Sequence, residues 1–293
     1  MSFRDALNSG KFVVTAEVGP PKGTDIKKIL HESELLKGKV DALNVTDNQS
    51  AVMRISSVSF CKLLLEMGHE PILQMTCRDR NRIGLQSDLL GASILGIKNV
   101  LCMTGDHPNA GDHKEAKPVY DIESVQLLKV VAGLNAGKDM MGNELKGATD
   151  FYQGAVVTPE SNPIEPQLMK FEKKIEAGAN FFQTQAIYDI DKFKNFMSYA
   201  RKFPVKILAG LVLLKSAGMA NFMNKFVPGI TVPQNLIDEL KEAGKEKAMD
   251  AGIGIMARHI KQLKDEKICD GVHIMAIGAE DKVPEIMERA GLL

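Results

Sequence analysis

Short, almost wholly apolar runs alternate along this chain with longer segments in which apolar residues recur every three or four positions. The short runs predict strands at 12–17, 41–46, 71–76, 98–103, 154–158, 181–186, 206–211 and 271–276. The longer segments predict helices near 24–37, 53–67, 82–96, 122–136, 164–177, 190–202, 215–226 and 245–264, with another at 281–290. Strands that are apolar on both faces belong in a parallel sheet covered on both sides. Eight strand–helix units in a row predict a (β/α)8 TIM barrel, with residues 1–293 forming one domain. Polar residues mark the helix starts, with Thr24-Asp25 before the first, Asp121-Ile122-Glu123 at the fourth and Asp189 or Asp191 at the sixth. Gly68, Gly96 and Gly178 follow helical stretches, where a left-handed residue ends the turn. The rival fold is an open doubly wound sheet, but no Gly-x-Gly-x-x-Gly follows the first strand. Two segments exceed a minimal barrel: 137–153, a Gly-rich polar excursion, and 227–243, a loop followed by a short helix at 233–243.

Charge changes this picture by subtraction. Lys and Arg number 37, as do Asp and Glu, so no net field draws the chain to nucleic acid or to an anionic membrane. No apolar run is long enough to span a bilayer, and Met1-Ser2-Phe3-Arg4-Asp5 lacks an apolar signal core. Cys61, Cys77, Cys102 and Cys269 lie far apart with no Cys-x-x-Cys, which points to a reducing cytoplasm. Cys77 and Cys102 fall near strand ends, where they read as small buried hydrophobes. Trp is absent, so Ile, Leu, Val, Met and Ala must build the core.

In such barrels, chemistry stands at the C-terminal ends of the strands. Glu17 ends the run Phe12-Val13-Val14-Thr15-Ala16-Glu17, and Gly19-Pro20-Pro21 stop the strand behind it. Apolar neighbours disfavour a charged carboxyl group, so this position reads as a general acid, or else as an ordinary strand-end ion pair. The other ends carry Thr46-Asp47-Asn48-Gln49, then Gln74, Thr76 and Arg78, then Thr104-Gly105-Asp106-His107. After them come Thr158-Pro159-Glu160 with Asn162, Thr184-Gln185 with Tyr188, and Gly210 with Lys215-Ser216. Amides and hydroxyls dominate, which suits a neutral heterocycle better than a metal. Thr104-Gly105-Asp106 also reads as a plain turn, with Asp106 as a cap for the residues after it. His107 and His113 share a loop but lack a third ligand, so no metal site is expected.

These motifs, in this order, resemble the methylenetetrahydrofolate reductase family, over roughly residues 11–290. Thr15-Ala16-Glu17-Val18-Gly19-Pro20-Pro21 is similar to its first-strand motif, and Met75-Thr76-Cys77 to its third. Thr104-Gly105-Asp106 resembles an Arg-Gly-Asp signature with Thr for Arg. Pro159-Glu160-Ser161-Asn162-Pro163 resembles a Pro-Glu-x-His-Pro turn with Asn for His. Lys174-Ile175-Glu176-Ala177-Gly178-Ala179-Asn180, followed by Thr184-Gln185, carries the closest resemblance.

The resemblance implies a one-carbon enzyme that uses FAD, or alternatively FMN, to reduce 5,10-methylenetetrahydrofolate to 5-methyltetrahydrofolate. It implies that Glu17 is the general acid that opens the methylene bridge to a 5-iminium cation, and that Asp106 stabilises this cation beside the flavin. Gln185 would then hydrogen-bond the pterin, with Thr46 on substrate or flavin, and Gln74, Thr104, Gly105, Asp106, Thr158, Asn162 and Lys174 would contact the flavin. Two features depart from the family. Residues 209–219 lack the Gln and Phe presented to folate and nicotinamide, Met219 and Met223 standing there instead, and Ile277-Gly278-Ala279 lacks an Arg. A homo-oligomer, or a hetero-complex with an electron-supplying partner protein, is therefore expected. Two rival functions remain at this point: a flavin-free, pterin-binding methyltransferase, and a flavin-carrying electron-transfer or scaffold subunit.

Overall fold

A computed structural model describes residues 1–293 and closes eight parallel strands into a barrel in chain order. The strands are β1 (Val13–Val18), β2 (Ala42–Val45), β3 (Pro71–Thr76), β4 (Asn99–Met103), β5 (Tyr152–Val157), β6 (Phe181–Ala186), β7 (Lys206–Val212) and β8 (Gly271–Met275). The (β/α)8 barrel expected from the alternation is the fold observed. A first helix, α1 (Phe3–Asn8), precedes β1, and α2 (Lys27–Leu36), α3 (Ser57–Glu66), α4 (Arg82–Ile94), α5 (Ser124–Asn135), α6 (Glu165–Glu176) and α7 (Ile190–Ala200) follow the first six strands in turn. Then α8 (Ala217–Phe226) and α9 (Gln234–Asp265) lie between β7 and β8, and α10 (Val283–Arg289) follows β8. The short helix and the long helix expected at 233–243 and 245–264 are the two arms of α9, which breaks at Gly244 with φ 69°. Gly68, Gly96 and Gly178 all take positive φ at helix ends.

Side chains alternate across a strand with period two, and in a barrel one set faces the axis. Val13, Ala42, Ile72, Leu101, Tyr152, Phe181 and Leu208 form an apolar bottom layer with Phe3, Ala6 and Leu7 of α1. Phe3 meets Tyr152 and Phe181 edge-on, at 6.1 and 5.1 Å between ring centres, and so plugs that end. Gly154 leaves the space that Phe181 fills: a Cβ there would lie 2.3 Å from the ring. One step up, the axial residues of five strands are polar: Thr15, Asn44, Gln74, Gln183 and His273, all buried. The larger apolar cluster lies outside the barrel, between strands and helices. A satellite core joins the ends of β6 and β7 to α8 and the first arm of α9. Strands β6 and β7 slip register between Gln183 and Ala186, which bends the end of β6 just where Gln185 stands. No helix of the chain is long and apolar enough to cross a membrane.

Candidate functional site

A cavity of about 450 Å³ opens above the polar layer, at the C-terminal ends of the strands. That volume suits a heterocyclic ligand. Of the residues singled out in the sequence, Glu17, Gln74, Thr104, Gly105, Asp106, Thr158, Lys174 and Gln185 line it together. Two do not. Asn162 is exposed and borders a separate recess beyond β5, alongside Glu160, Lys192 and Asn195. Thr46 is buried beside the cavity, and its hydroxyl has no hydrogen-bond partner.

Glu17 sits at the cavity floor with its side chain 12 % exposed. Its surroundings correct the expectation of apolar neighbours. Gln49 Nε2 donates to Oε1 at 2.9 Å, Gln74 Nε2 donates to Oε2 at 3.3 Å, and His273 Nε2 lies 3.7 Å from Oε2. The carboxyl group is therefore held on three sides by polar groups, with its open side toward the cavity. Gln49 reaches it from a tight loop after β2 in which Asn48, Ser50 and Ala51 all have positive φ, between 45° and 58°. Non-glycine residues take that conformation only at a cost that surrounding structure must hold in place. The holding groups are visible: Arg78 donates to Asn48 O at 3.1 Å and to Asp106 O at 3.4 Å, so one guanidinium ties the loop after β2 to the loop after β4. Gly111 packs against the Ala51 carbonyl so closely that a Cβ would fall 1.8 Å from it.

Beneath the mouth lies a buried ion pair. Asp47, with its side chain 1 % exposed, accepts both Thr76 N and Thr76 Oγ1 at 2.9 Å and two guanidinium bonds from Arg80, at 2.8 and 3.1 Å. Gly105 takes φ 90° at the rim, where a side chain would press on Thr76 and Arg78. Asp106 beside it is exposed and caps nothing: the short helical turn at 108–110 is capped by His107, so the plain-turn reading fails for this carboxylate. His107 and His113 do not share a ligand geometry, since His113 instead pairs with its neighbour Asp112.

On the far wall, Lys174 reaches the cavity from α6. It is 7 % exposed, and its Nζ donates to Val156 O at 2.5 Å. An ammonium group has three donors, so this one retains capacity toward the cavity. Burial, helped by Lys170, pulls its pKa down from 10.5 to about 8. Because the folded state releases this proton before the unfolded chain does, stability rises with pH between about 8 and 10.5. Denaturation of ligand-free protein across that range should therefore show the wild type gaining up to about 3 kcal/mol on Lys174→Met. Curves that stay parallel would mean that Lys174 is not a buried cation. The cysteines stay clear of such chemistry: all four are free and buried, and burial pushes their thiols up, Cys77 to about 12.

Sequence reading passes over four groups: His273, Gln183, Thr15 and Asn44. Gln183 and Asn44 form a reciprocal amide pair at 2.7 and 2.9 Å, and Gln183 also donates to Thr15 Oγ1 at 3.4 Å. Counting back by two from Glu17, Gln185 and Met275 would have found three of them. Met219 and Met223 pack into or against the satellite core and do not line the cavity.

Comparison with known proteins places the chain in a family. The family model described as methylenetetrahydrofolate reductase matches residues 2–291. A methylenetetrahydrofolate reductase 2 of Schizosaccharomyces pombe is 25% identical over 252 residues, which cover 78% of this chain and 37% of that protein. A 5,10-methylenetetrahydrofolate reductase of Pectobacterium carotovorum subsp. carotovorum is 27% identical over 222 residues, which cover 71% of this chain and 68% of that one. The chain thus spans little more than a third of the fungal relative's length. Among solved structures, an uncharacterized protein from Clostridium thermocellum that binds two copies of 5-methyl-5,6,7,8-tetrahydrofolic acid superposes with a TM-score of 0.63 at 18% identity, over 99% of this chain and 96% of that one. At that identity the likeness is one of fold. A family model that matches this chain from end to end is decisive where single relatives are distant: the chain belongs to the methylenetetrahydrofolate reductase family.

Proposed function

We propose that the protein reduces 5,10-methylenetetrahydrofolate to 5-methyltetrahydrofolate with a bound flavin, FAD or FMN, and with Glu17 as the general acid. The observation that carries this reading is the make-up of one cavity, in which a hydrogen-bonded carboxyl group faces an under-bonded buried ammonium group across a wall of amides and hydroxyls. These residues fit a flavin: Lys174 offers donors to a phosphate or ribose hydroxyl, while Gln74, Thr104 and Thr158 offer partners to the polar edge of a ring. A flavin bound there would supply the reducing equivalents.

The rest is the chain's own work. Glu17 holds its proton at the cavity floor and delivers it to the pterin nitrogen, while Gln49 and Gln74 keep the carboxyl group from turning away. Asp106, unpaired at the rim, favours positive charge on the substrate. Gln185 offers an amide to the pterin from the bend in β6, although its Oε1 here accepts Ala186 N at 3.0 Å and must turn to do so. Binding of 5-methyltetrahydrofolate by the Clostridium thermocellum protein of like fold supports a folate in this barrel. An electron-supplying partner protein and a cytoplasmic location complete the reading.

One experiment tests it. Protein folded in excess FAD or FMN and then desalted should stay yellow, and should convert methylenetetrahydrofolate when supplied with reduced methyl viologen. Colourless protein with either flavin would end the flavin assignment in favour of a pterin-binding methyltransferase. Yellow protein without turnover would leave an electron-transfer subunit.

A further inference from the structure

We infer that the outer face of α8 is the docking surface of a small acidic electron-transfer protein, which delivers its electrons at the mouth of the cavity; this rests on the folate-reduction reading. Most phenylalanines of the chain are buried or half-buried, but Phe222 and Phe226 stand 57 % and 58 % exposed. They lie one turn apart on α8, with ring centres 4.9 Å apart, and the Lys225 ammonium sits 5.1 Å over the Phe226 ring. Their helix crosses the rim of the cavity. Its inner face, through Ala220 and Met223, packs on the ends of β6 and β7. Lys215, just before it, donates to the Ile277 carbonyl after β8, and Ile277 is itself exposed. Gly229, in the loop after it, sits so close to Thr158 at the end of β5 that a Cβ would fall 2.2 Å from the threonine methyl. Thr158 and Met275 both line the cavity, and Met275 also packs against the core that α8 covers. The aromatic pair is therefore fixed beside the mouth by residues that shape its wall.

Charge names the kind of partner. Residues 192–237 contain no Asp or Glu, in a chain whose charges balance overall. Lys192, Lys194, Arg201 and Lys206 are paired with acids from outside this stretch. Lys215 and Lys225, at either end of α8, instead meet a carbonyl and a ring. A face with two rings, positive charge and no acid is complementary to an acidic surface with an apolar centre. Other occupants fit less well. A second copy seated by a two-fold axis would bring Lys225 toward Lys225, with no acid on the face to meet either. An anionic bilayer calls for a cluster of about four to eight basic residues, and α8 offers only Lys215 and Lys225. The patch is also small. Two rings more than half exposed offer on the order of 200 Å², far below the roughly 800 Å² per partner of a lasting complex. Small, charge-steered contacts are characteristic of transient electron-transfer encounters.

Electrons and atoms balance. Two molecules of the reduced partner each give up one electron and are oxidised. Together with two protons from solvent, these electrons reduce the methylene group of the folate. Its bond to N10 breaks, one C–H bond and one N10–H bond form, and 5-methyltetrahydrofolate results. Electrons reach the cavity without the donor itself entering it, so a docking face beside the mouth suffices.

Stopped-flow bleaching of the flavin-loaded protein by a reduced bacterial [4Fe–4S] ferredoxin, an acidic carrier, tests this. The rate should saturate with ferredoxin and fall as salt rises. Phe222→Ser combined with Phe226→Ser should slow it roughly tenfold or more, and Lys225→Glu should slow it and flatten its salt dependence. Reduced methyl viologen, which needs no docking face, should bleach both variants as fast as the wild type. Calorimetry of ferredoxin binding gives the same comparison without flavin. Variants that accept electrons from ferredoxin at the wild-type rate would overturn the proposal. So would a wild type that viologen bleaches but ferredoxin neither binds nor reduces. Self-association abolished by the double Phe variant would assign the face to a second copy, and vesicle binding abolished by it, with anionic lipid, would assign it to a membrane; either result overturns the proposal. A raised folate KM with an unchanged ferredoxin rate would do so too, by placing the rings on substrate. Patch-dependent bleaching by ferredoxin in a protein that reduces no folate would uphold the surface and overturn the folate reading alone.

Discussion

Replacing Glu17 by Gln should cut folate reduction by a factor of about 10² or more, the usual size of a general-acid contribution, while the protein keeps its flavin and its fold. The substitution preserves size and shape and removes the transferable proton. It also removes one acceptor. In the wild type, Oε1 receives Gln49 and Oε2 receives Gln74. A Gln side chain has a single carbonyl oxygen, so one of those donors must turn elsewhere. That loss is worth about 1 kcal/mol and would show in a thermal melt as a small drop. The two readouts separate chemistry from structure. A variant that turns over folate at a near-normal rate would place the acid on another group or on water. A variant that loses flavin would show that the carboxyl group shapes the cavity rather than serving the reaction.

The second large effect concerns stability. Asp47→Ala should destabilise the protein by about 3–5 kcal/mol, as expected when one partner of a buried ion pair is removed. The loss comes from the groups left behind: Thr76 N, Thr76 Oγ1, Ser57 Oγ and two Arg80 donors all lose an acceptor that is itself almost wholly buried. Asp88 keeps its 2.7 Å bond to Arg80 Nε and holds the loss toward the lower end of that range. Asp106→Ala, at the exposed rim, should change stability far less. Denaturant titration of both variants gives the comparison. A loss below about 1 kcal/mol at Asp47 would mean that water reaches the pair and screens it.

Much of this architecture is legible in the amino-acid sequence. Parallel strands buried on both faces have no polar face to confuse the pattern, so all eight stand out as apolar runs. Strand β5 is the least clear, because Tyr152 and Gln153 read as the end of the polar excursion at 137–153; in the structure β5 already begins at Tyr152, and Gln153 donates to Ala177 O. Helix α1 escapes notice because six residues are too few for a periodicity to show, although Ser2 three residues before Asp5 is a capping signal, and Ser2 does accept Asp5 N.

At the site, position along a strand is enough to find the rim but not its support. Glu17, Asp106, Gln185 and Lys174 share a cavity because strand ends converge in a barrel. Asn162 does not join them, since four residues of loop carry it beyond the end of β5. His273 and Gln183 sit mid-strand, where a polar residue looks like an exception in an apolar run until the period-two face is traced to the axis.

The contact of Gly111 with the Ala51 carbonyl has a consequence for how such barrels diversify. Barrel loops are commonly treated as interchangeable modules, each free to change length without disturbing the next. Here the loops after β2 and β4 mesh like gear teeth: the left-handed turn of one is seated against the glycine of the other, and Arg78 bolts both to the same point. An insertion in either would unseat Gln49 and Asp106 together. A chimera that imports one of these loops from a relative should thus be crippled unless its counterpart travels with it, and over evolutionary time the two should drift as a single inherited unit.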